Sequence, residues 1–374
     1  MTKIELLVGS DAFWARAARD IASARRRLYV QAMSFEGDDA GKTVAGAIMA
    51  SPARDRRVLV DAYSTVVISD RFVLSPAGLF DRALRAEAKA TRAMFDDLVR
   101  AGARVRVTNP IGPLYLHYPA RNHKKLIVAD EAAYIGGINF SDHNFAWSDL
   151  MLRLEGEATA RVLARDFEAT FEGVARPWRE DFGDLALQGL DGRSNARGFG
   201  EIIGLIEAAA RAITVVSPYL TFPFTDALAC AAKRGVAVTL ITPMANNKPL
   251  LRTYLLEAAR RAGFHVRLTP GMSHLKGLLI DDRYLVLGSS NFDFVSVAAE
   301  EELMAVIARP GVIADFRQRI IAPGLQNAFS PDAHGASRLA GWAARAALRI
   351  ADLSIRRARL APRSAGDWRA RGEG

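Results

Sequence analysis

Short apolar runs alternate along the chain with stretches in which apolar residues recur every three or four positions. Ile4 to Val8, Leu28 to Phe35, Arg57 to Ala62 and Val105 to Thr108 read as strands. Helical spacing runs from Ser10 to about Arg25, with Phe13, Trp14 and Ile21 inward, and from about Lys42 to Met49. A long helix follows, with Ser75 at its cap, Pro76 in its first turn and Gly102 just past its end. Ala160 to Phe171 predicts another helix. Strands alternating with helices argue an α/β fold, its mixed sheets flanked by helices.

The second half repeats the first. Ile213 to Val216 corresponds to the strand at Leu28, and Val236 to Thr242 to that at Arg57. Helices are expected at Phe224 to Arg234 and Pro249 to Ala262, closed by Gly235 and Gly263. The segment from Ala101 to Thr108 lies over Ala262 to Thr269 at an offset of 161. These matches divide the chain into a first repeat over 1–175, a connection over 176–198 and a second repeat over 199–330. A basic tail occupies 331–374.

Each repeat carries the same polar signature. His123, Lys125 and Asp130 are followed by Gly136 and Asn139; His274, Lys276 and Asp281 are followed by Gly288, Ser289 and Asn291. The apolar runs around Asp130-Glu131 read as the two strands of a hairpin. In extended backbone, residues two apart share a face, so His123 and Lys125 project together and Lys124 points away. The glycines are expected to let the backbone approach a ligand. An imidazole, an ammonium and an amide converging on one point suit a phosphate and include a nucleophile. Only 8 of the 50 basic residues are lysine, yet both motif positions hold one, as a compact point charge on phosphate requires. The acids Asp130 and Asp281 read as hairpin-turn residues. The motifs hold Lys and Asn where a metal site would gather carboxylates, so neither metal nor other cofactor is expected.

The formal charge of +9 points to an acidic partner, either nucleic acid or an anionic membrane. Nine Arg against three acids between Arg338 and Gly374 place +6 of it in the tail. The remaining +3 on the body, without interleaved basic and aromatic residues, argues against a nucleic-acid groove. The one cysteine, Cys230, is expected to be a small buried hydrophobe. No signal peptide and no run of about 18 apolar residues is seen, so a cytoplasmic or peripheral membrane location is expected.

The paired motifs resemble the HKD motifs of the phospholipase D superfamily. Gly136-Gly137-Ile138-Asn139 with Trp147-Ser148-Asp149, and Gly288-Ser289-Ser290-Asn291 with Glu302, are most similar to its bacterial cardiolipin synthase and phospholipase D branch. The resemblance implies two tandem phospholipase D-like repeats with a pseudo-two-fold active site between them. It further implies a phospholipid substrate and a covalent phosphohistidine on His123. His274 would be the acid that then activates water or an alcohol. The two half-sites are equivalent in sequence, so these roles rest on the resemblance alone. Lys125, Lys276, Asn139 and Asn291 would stabilise charge on the phosphoryl oxygens. Asp149 and Glu302 would each orient a histidine. Ser289 is a candidate phosphate donor, and His117 a candidate headgroup contact in the loop before the first motif. Where family members often carry Arg beyond the second Asn, this chain has Val295. A superfamily nuclease is the competing activity, and a non-catalytic membrane-binding protein the competing class; hydrolysis and transfer share the intermediate.

In the tail, Leu339, Trp342, Ala346, Ile350, Leu353 and Leu360 share one helical face, with Arg338, Arg345, Arg349 and Arg356 along its flank. Such a helix suits an anionic membrane surface. Leu348 and Ile355 lie on the opposite face and Arg357 on the apolar one, and the alternatives are a helix packed on the body or a loose basic end. Residues 363–374 read as disordered.

Overall fold

The central strands are apolar on both faces, so helices must cover both sides of each sheet. Every residue of Leu28–Ala32 and Leu126–Ala129 is buried. The computed structural model describes residues 2–112, 116–331, 337–362 and 365–369. The chain divides into two units: Met1–Ala146, Leu150–Arg176 and Ala361–Gly374 form the first, and Trp147–Asp149 with Pro177–Leu360 form the second.

The first unit contains β1 (Lys3–Val8), β2 (Arg27–Ala32), β3 (Asp55–Asp61), β4 (Arg104–Thr108), β5 (Leu126–Ala129), β6 (Ala132–Gly136) and β7 (Leu150–Glu155). The second contains β8 (Trp178–Asp181), β9 (Leu185–Asp191), β10 (Ala212–Val216), β11 (Ala237–Pro243), β12 (His265–Thr269), β13 (Gly277–Ile280), β14 (Tyr284–Gly288) and β15 (Glu300–Ile307). Near the C-terminus, β16 (Gly366–Asp367) belongs to the first unit. The first sheet runs β1-β7-β6-β5-β2-β3-β4-β16, and the second β8-β9-β15-β14-β13-β10-β11-β12. Within each sheet only the strands of the αβ crossovers are parallel, β2-β3-β4 and β10-β11-β12. The order β1-β7-β6-β5-β2-β3-β4 thus recurs as β9-β15-β14-β13-β10-β11-β12, with each neighbour running in the same sense. The duplication seen in sequence is a duplication of topology.

Four details differ from the sequence expectations. Residues 176–198 are not a bare connection, since they hold β8 and β9 of the second sheet. Leu185, Ala186, Leu187, Gln188 and Leu190 are all buried, so this strand lacks the in-out alternation that marks a half-exposed one. The single long helix after Ser75 is two helices, Pro76–Phe80 and Arg82–Arg100. Asp81 breaks it because its carboxylate accepts the Leu84 N–H at 3.0 Å and starts a new helix. Cys230 is exposed, off the face that Phe224, Ala227, Leu228 and Ala231 bury.

The tail is the fourth. Its helix, Arg338–Arg357, packs against Pro249–Ala262 in the second unit. Gly341, Ala344, Leu348 and Ile355 are its buried residues, and a side chain at Gly341 would collide with Glu257. Arg349 Nη2 reaches Asp226 Oδ2 at 2.7 Å while its guanidinium lies over the Phe222 ring. The face singled out in sequence points the other way: Leu339, Trp342, Ile350 and Leu353 are exposed. Of the stretch 363–374, only 365–369 lies within the described residues. There β16 pairs with β4, and Trp368 Nε1 donates to Asp96 Oδ1 at 2.8 Å. No helix among the described residues is long and apolar enough to cross a membrane.

Candidate active site

Each histidine lies on the extended run into the first strand of a hairpin, in backbone set by that hairpin's turn. At the first turn Asp130, at φ 52°, accepts the N–H groups of Arg25, Arg26 and Arg27 at 2.7, 3.0 and 2.9 Å. At the second, Asp281, at φ 51°, accepts those of Ala210, Arg211 and Ala212 at 2.8, 2.8 and 2.9 Å. Burial works to raise both carboxyls, but the three N–H donors prevail and hold each below the usual range. Each motif Asp therefore ties its hairpin to the start of the neighbouring strand, β2 or β10. At the far end, Gly136 and Gly288 have a different job from the expected ligand approach. A side chain there would come within 2.4 Å of the Leu150 carbonyl oxygen or 2.2 Å of that of Leu303. The space belongs to the adjacent strand.

In the first unit His123, Lys125 and Asn139 are all buried. Lys125 Nζ donates to the His123 carbonyl at 2.7 Å. Lys124 turns the other way and donates to both oxygens of Asp166, at 2.8 and 2.9 Å, and to Thr170. Asn139 Oδ1 accepts the Ser34 N–H at 3.1 Å, which directs its amide nitrogen outward from β2 toward Asn144. Just before the motif, buried Arg121 donates to Asp61 Oδ1 at 2.6 Å, and Asp61 Oδ2 accepts the Asn122 N–H at 2.7 Å. His117 is part-buried, and its carbonyl accepts from Arg121 at 2.6 Å.

In the second unit the histidine has a carboxylate on its ring. Asp149 Oδ2 lies 2.8 Å from His274 Nδ1. Lys276 Nζ lies 2.8 Å from the same Nδ1, and a proton on Nδ1 donated to Asp149 makes Nε2 the ring nitrogen turned away from that carboxylate. Asp149 follows the first motif in sequence, yet Trp147–Asp149 belong to the second unit. The His274 N–H donates to the Ser148 carbonyl at 2.8 Å, which fixes the register. Trp147 and Tyr219 set their rings 5.5 and 5.8 Å from the imidazole. Lys276 Nζ donates to the His274 carbonyl and lies 3.8 Å from Asp149 Oδ2. Burial pulls this ammonium down to about 8, against the attraction of Asp149, Glu302 and Asp293.

Ser289, read in sequence as a candidate phosphate donor, has its hydroxyl engaged within the unit. It is fully buried, donates to Glu302 Oε2 and accepts the Leu303 N–H at 3.0 Å. Ser296 donates to Glu302 Oε1 at 2.7 Å, so two hydroxyls orient this carboxylate. Nearby Asp293 is pushed up to about 6, first by burial and then by the charge of Glu302. Asn291 is buried, and its carbonyl accepts from Ser217 at 3.0 Å. Tyr219, Ser296 and Asp293 had no signal in sequence, because hydroxyls, rings and lone acids recur throughout the chain. The Asp149 pairing was hidden because sequence order assigns it to the other repeat.

A second acidic group, Glu36, Asp38 and Glu87, lies in the first unit. Burial raises all three carboxyls, Glu36 to about 8. Glu36 accepts from Ser34 Oγ at 2.7 Å and from the Ser69 N–H at 3.0 Å. The other two carboxylates are likewise engaged, Asp38 accepting the Gly41 and Asp142 N–H groups at 2.9 and 2.6 Å and Glu87 accepting from Ser69 Oγ at 3.3 Å.

The domain family described as "Cardiolipin synthase, PLD-like domain" matches residues 18–171 and 202–322. Cardiolipin synthase B of Escherichia coli K12 is 26% identical over 341 residues, covering 82% of this chain and 76% of its own. The minor cardiolipin synthase ClsB of Bacillus subtilis is 31% identical over 227 residues, 54% of this chain and 56% of its own. The crystal structure of a phosphatidylserine synthase from Haemophilus influenzae Rd KW20 shares the fold, with a TM-score of 0.69 at 18% identity and 95% of each chain covered.

Proposed function

This chain belongs to the PLD-like domain family of cardiolipin synthases, and we propose on that premise that it is a phosphatidyltransferase acting on phospholipids through a phosphohistidine. The observation that carries the chemistry is the repeated His-Lys pair, together with the carboxylate on His274 Nδ1. In the first step an imidazole nitrogen of His123 attacks phosphorus and the bond to the leaving alcohol oxygen breaks. His274, protonated on Nε2, gives that oxygen its proton. In the second step neutral His274 takes a proton from the incoming alcohol or water, whose oxygen attacks phosphorus as the P–N bond breaks. Asp149 supports the charged imidazole in the first step. Lys125, Lys276, Asn139 and Asn291 stabilise the phosphoryl oxygens. Glu302, held by two serines, is an orienting acid, and His117 a loop contact for the headgroup.

The test is incubation of the purified protein with phosphatidylglycerol, phosphatidylcholine and single-stranded DNA in separate reactions, with products identified by mass spectrometry. Diphosphatidyl or phosphatidyl-alcohol products support transfer, and phosphatidic acid supports hydrolysis. Cleavage of the DNA alone would replace this reading with that of a nuclease.

The C-terminal helix supplies a membrane contact in the same proposal. One face is committed to the second unit, while Leu339, Trp342, Ile350 and Leu353 point to solvent with Arg338 and Arg356 beside them. Each basic residue near an anionic surface contributes about 1 kcal/mol at low salt. Leu339→Ser with Trp342→Ser, both at exposed positions, should weaken binding to anionic vesicles without unfolding the chain. Truncation is the poorer test, because Trp368 packs against the first unit's core. Unchanged binding in the double variant would remove this helix from membrane association.

A further inference from the structure

The two repeats differ most in one connection. Between β11 and the helix Pro249–Ala262 the chain needs five residues, 244–248. Between β3 and the helix Arg82–Arg100 it spends 20, residues 62–81. That excursion has a built structure of its own. Val67–Ile68 pairs antiparallel with Arg71–Phe72, and Ile68, Val73, Leu84 and Ala88 form a separate buried cluster. Ser75 caps the short helix Pro76–Phe80, accepting the Gly78 N–H at 3.0 Å, and Arg71 pairs with Asp81 at 2.5 Å.

This small scaffold leaves three large apolar side chains outside. Leu74 is 56% exposed, Leu79 48% and Phe80 87%. Because the satellite core pins the segment, these residues are held outward rather than left without a place to pack. Soluble surfaces rarely concentrate large apolar side chains in this way unless they meet an apolar partner. Arg82, Arg85 and Lys89, exposed on the helix that follows, put positive charge beside them.

The excursion is also rooted at the first half-site. It leaves β3 immediately after Asp61, the buried acid that receives Arg121 and the Asn122 N–H just before His123. Its Phe72 ring packs 5.2 Å from Tyr118, in the loop that leads into the motif. The exposed Leu116 lies in that same loop.

We propose that Leu74, Leu79 and Phe80 form an apolar rim that inserts into an anionic phospholipid bilayer and admits the substrate lipid to the His123 half-site. The proposal rests on the phospholipid reading above. An apolar rim beside exposed cations matches a bilayer, with acyl chains beneath anionic headgroups, better than it matches a second protein. The rim belongs to the first unit and the C-terminal helix to the second.

The experiment compares the wild type with Leu79→Ser/Phe80→Ser on two substrates. One is phosphatidylglycerol in vesicles, and the other is a short-chain phosphatidylglycerol kept below its micelle-forming concentration. The rim predicts turnover on vesicles reduced about tenfold or more, with the monomeric lipid processed within about twofold of wild type. Phe80→Trp, which keeps an apolar ring, should retain vesicle turnover, and its fluorescence should shift to the blue on adding anionic vesicles. Equal activity of the double variant and wild type on vesicles, or equal losses on both substrates, overturns the rim. A wild type that processes neither lipid overturns the phospholipid reading itself.

Discussion

Asp149→Asn separates the role of the His274 carboxylate from that of the rest of the machinery. Asp149 Oδ2 sits 2.8 Å from His274 Nδ1, and the acid is only 2% exposed. A buried hydrogen bond to a charged group contributes about 1.5–3 kcal/mol. At 1.36 kcal/mol per tenfold in rate, its loss slows a step that needs charged imidazole by about 10- to 150-fold. The amide adds a second effect, because an NH2 turned toward Nδ1 favours the wrong tautomer. Lys276, 3.8 Å from the same carboxylate, would lose a charge that now opposes burial and fall further below about 8. The assay uses two soluble diesters that differ in the leaving group. An aryl diester departs without protonation, whereas an alkyl diester needs the acid. The variant should lose its full factor on the alkyl substrate and much less on the aryl one, and the alkaline limb of its pH profile should move to lower pH. Wild-type rates on both, or equal losses with an unmoved alkaline limb, would refute Asp149 as the support for acid catalysis.

His123→Asn and His274→Asn should each reduce alkyl-diester turnover by at least about a thousandfold, with the double variant little worse, because residues acting as a unit are not additive; a single variant with substantial activity would sink the two-histidine mechanism. Lys125→Arg should be damaging although the charge is kept, since a planar guanidinium does not fit a site built for an ammonium; unchanged steady-state rates would show that Lys125 does not contact phosphate. Wild-type kcat/KM should fall as pH rises through about 8, where Lys276 loses its proton, and Lys276→Arg should abolish that limb even if it lowers the rate. Glu36, raised to about 8 chiefly by burial, stabilises the fold fully below its unfolded pKa, near 4.5, and that contribution is lost as pH climbs through about 8. Glu36→Gln should therefore flatten the decline of Tm across that window, and a parallel decline in variant and wild type would contradict the assignment.

Much of this protein is determined locally and is legible in the chain. Strand-helix alternation and the twofold motif identify the repeats, because apolar period and turn chemistry are properties of neighbouring residues. The β4 and β12 strands begin and end at the 161-residue offset read from sequence. His123 and Lys125 face together, away from Lys124, because extended backbone has a period of two. Tertiary structure decided what depends on residues distant in sequence. Asp149 follows one histidine yet reaches the other, His274, 125 positions away. Ser289 looks like a phosphate ligand in sequence, and in the fold its hydroxyl donates to Glu302 instead. The C-terminal helix shows two apolar faces in sequence, and packing chose the one with Gly341 and Ala344, whose small side chains allow close approach to its neighbour. Leu339 and Trp342 remain outside for the same reason: a helix on a folded surface buries one stripe, and only the shape of that surface selects which.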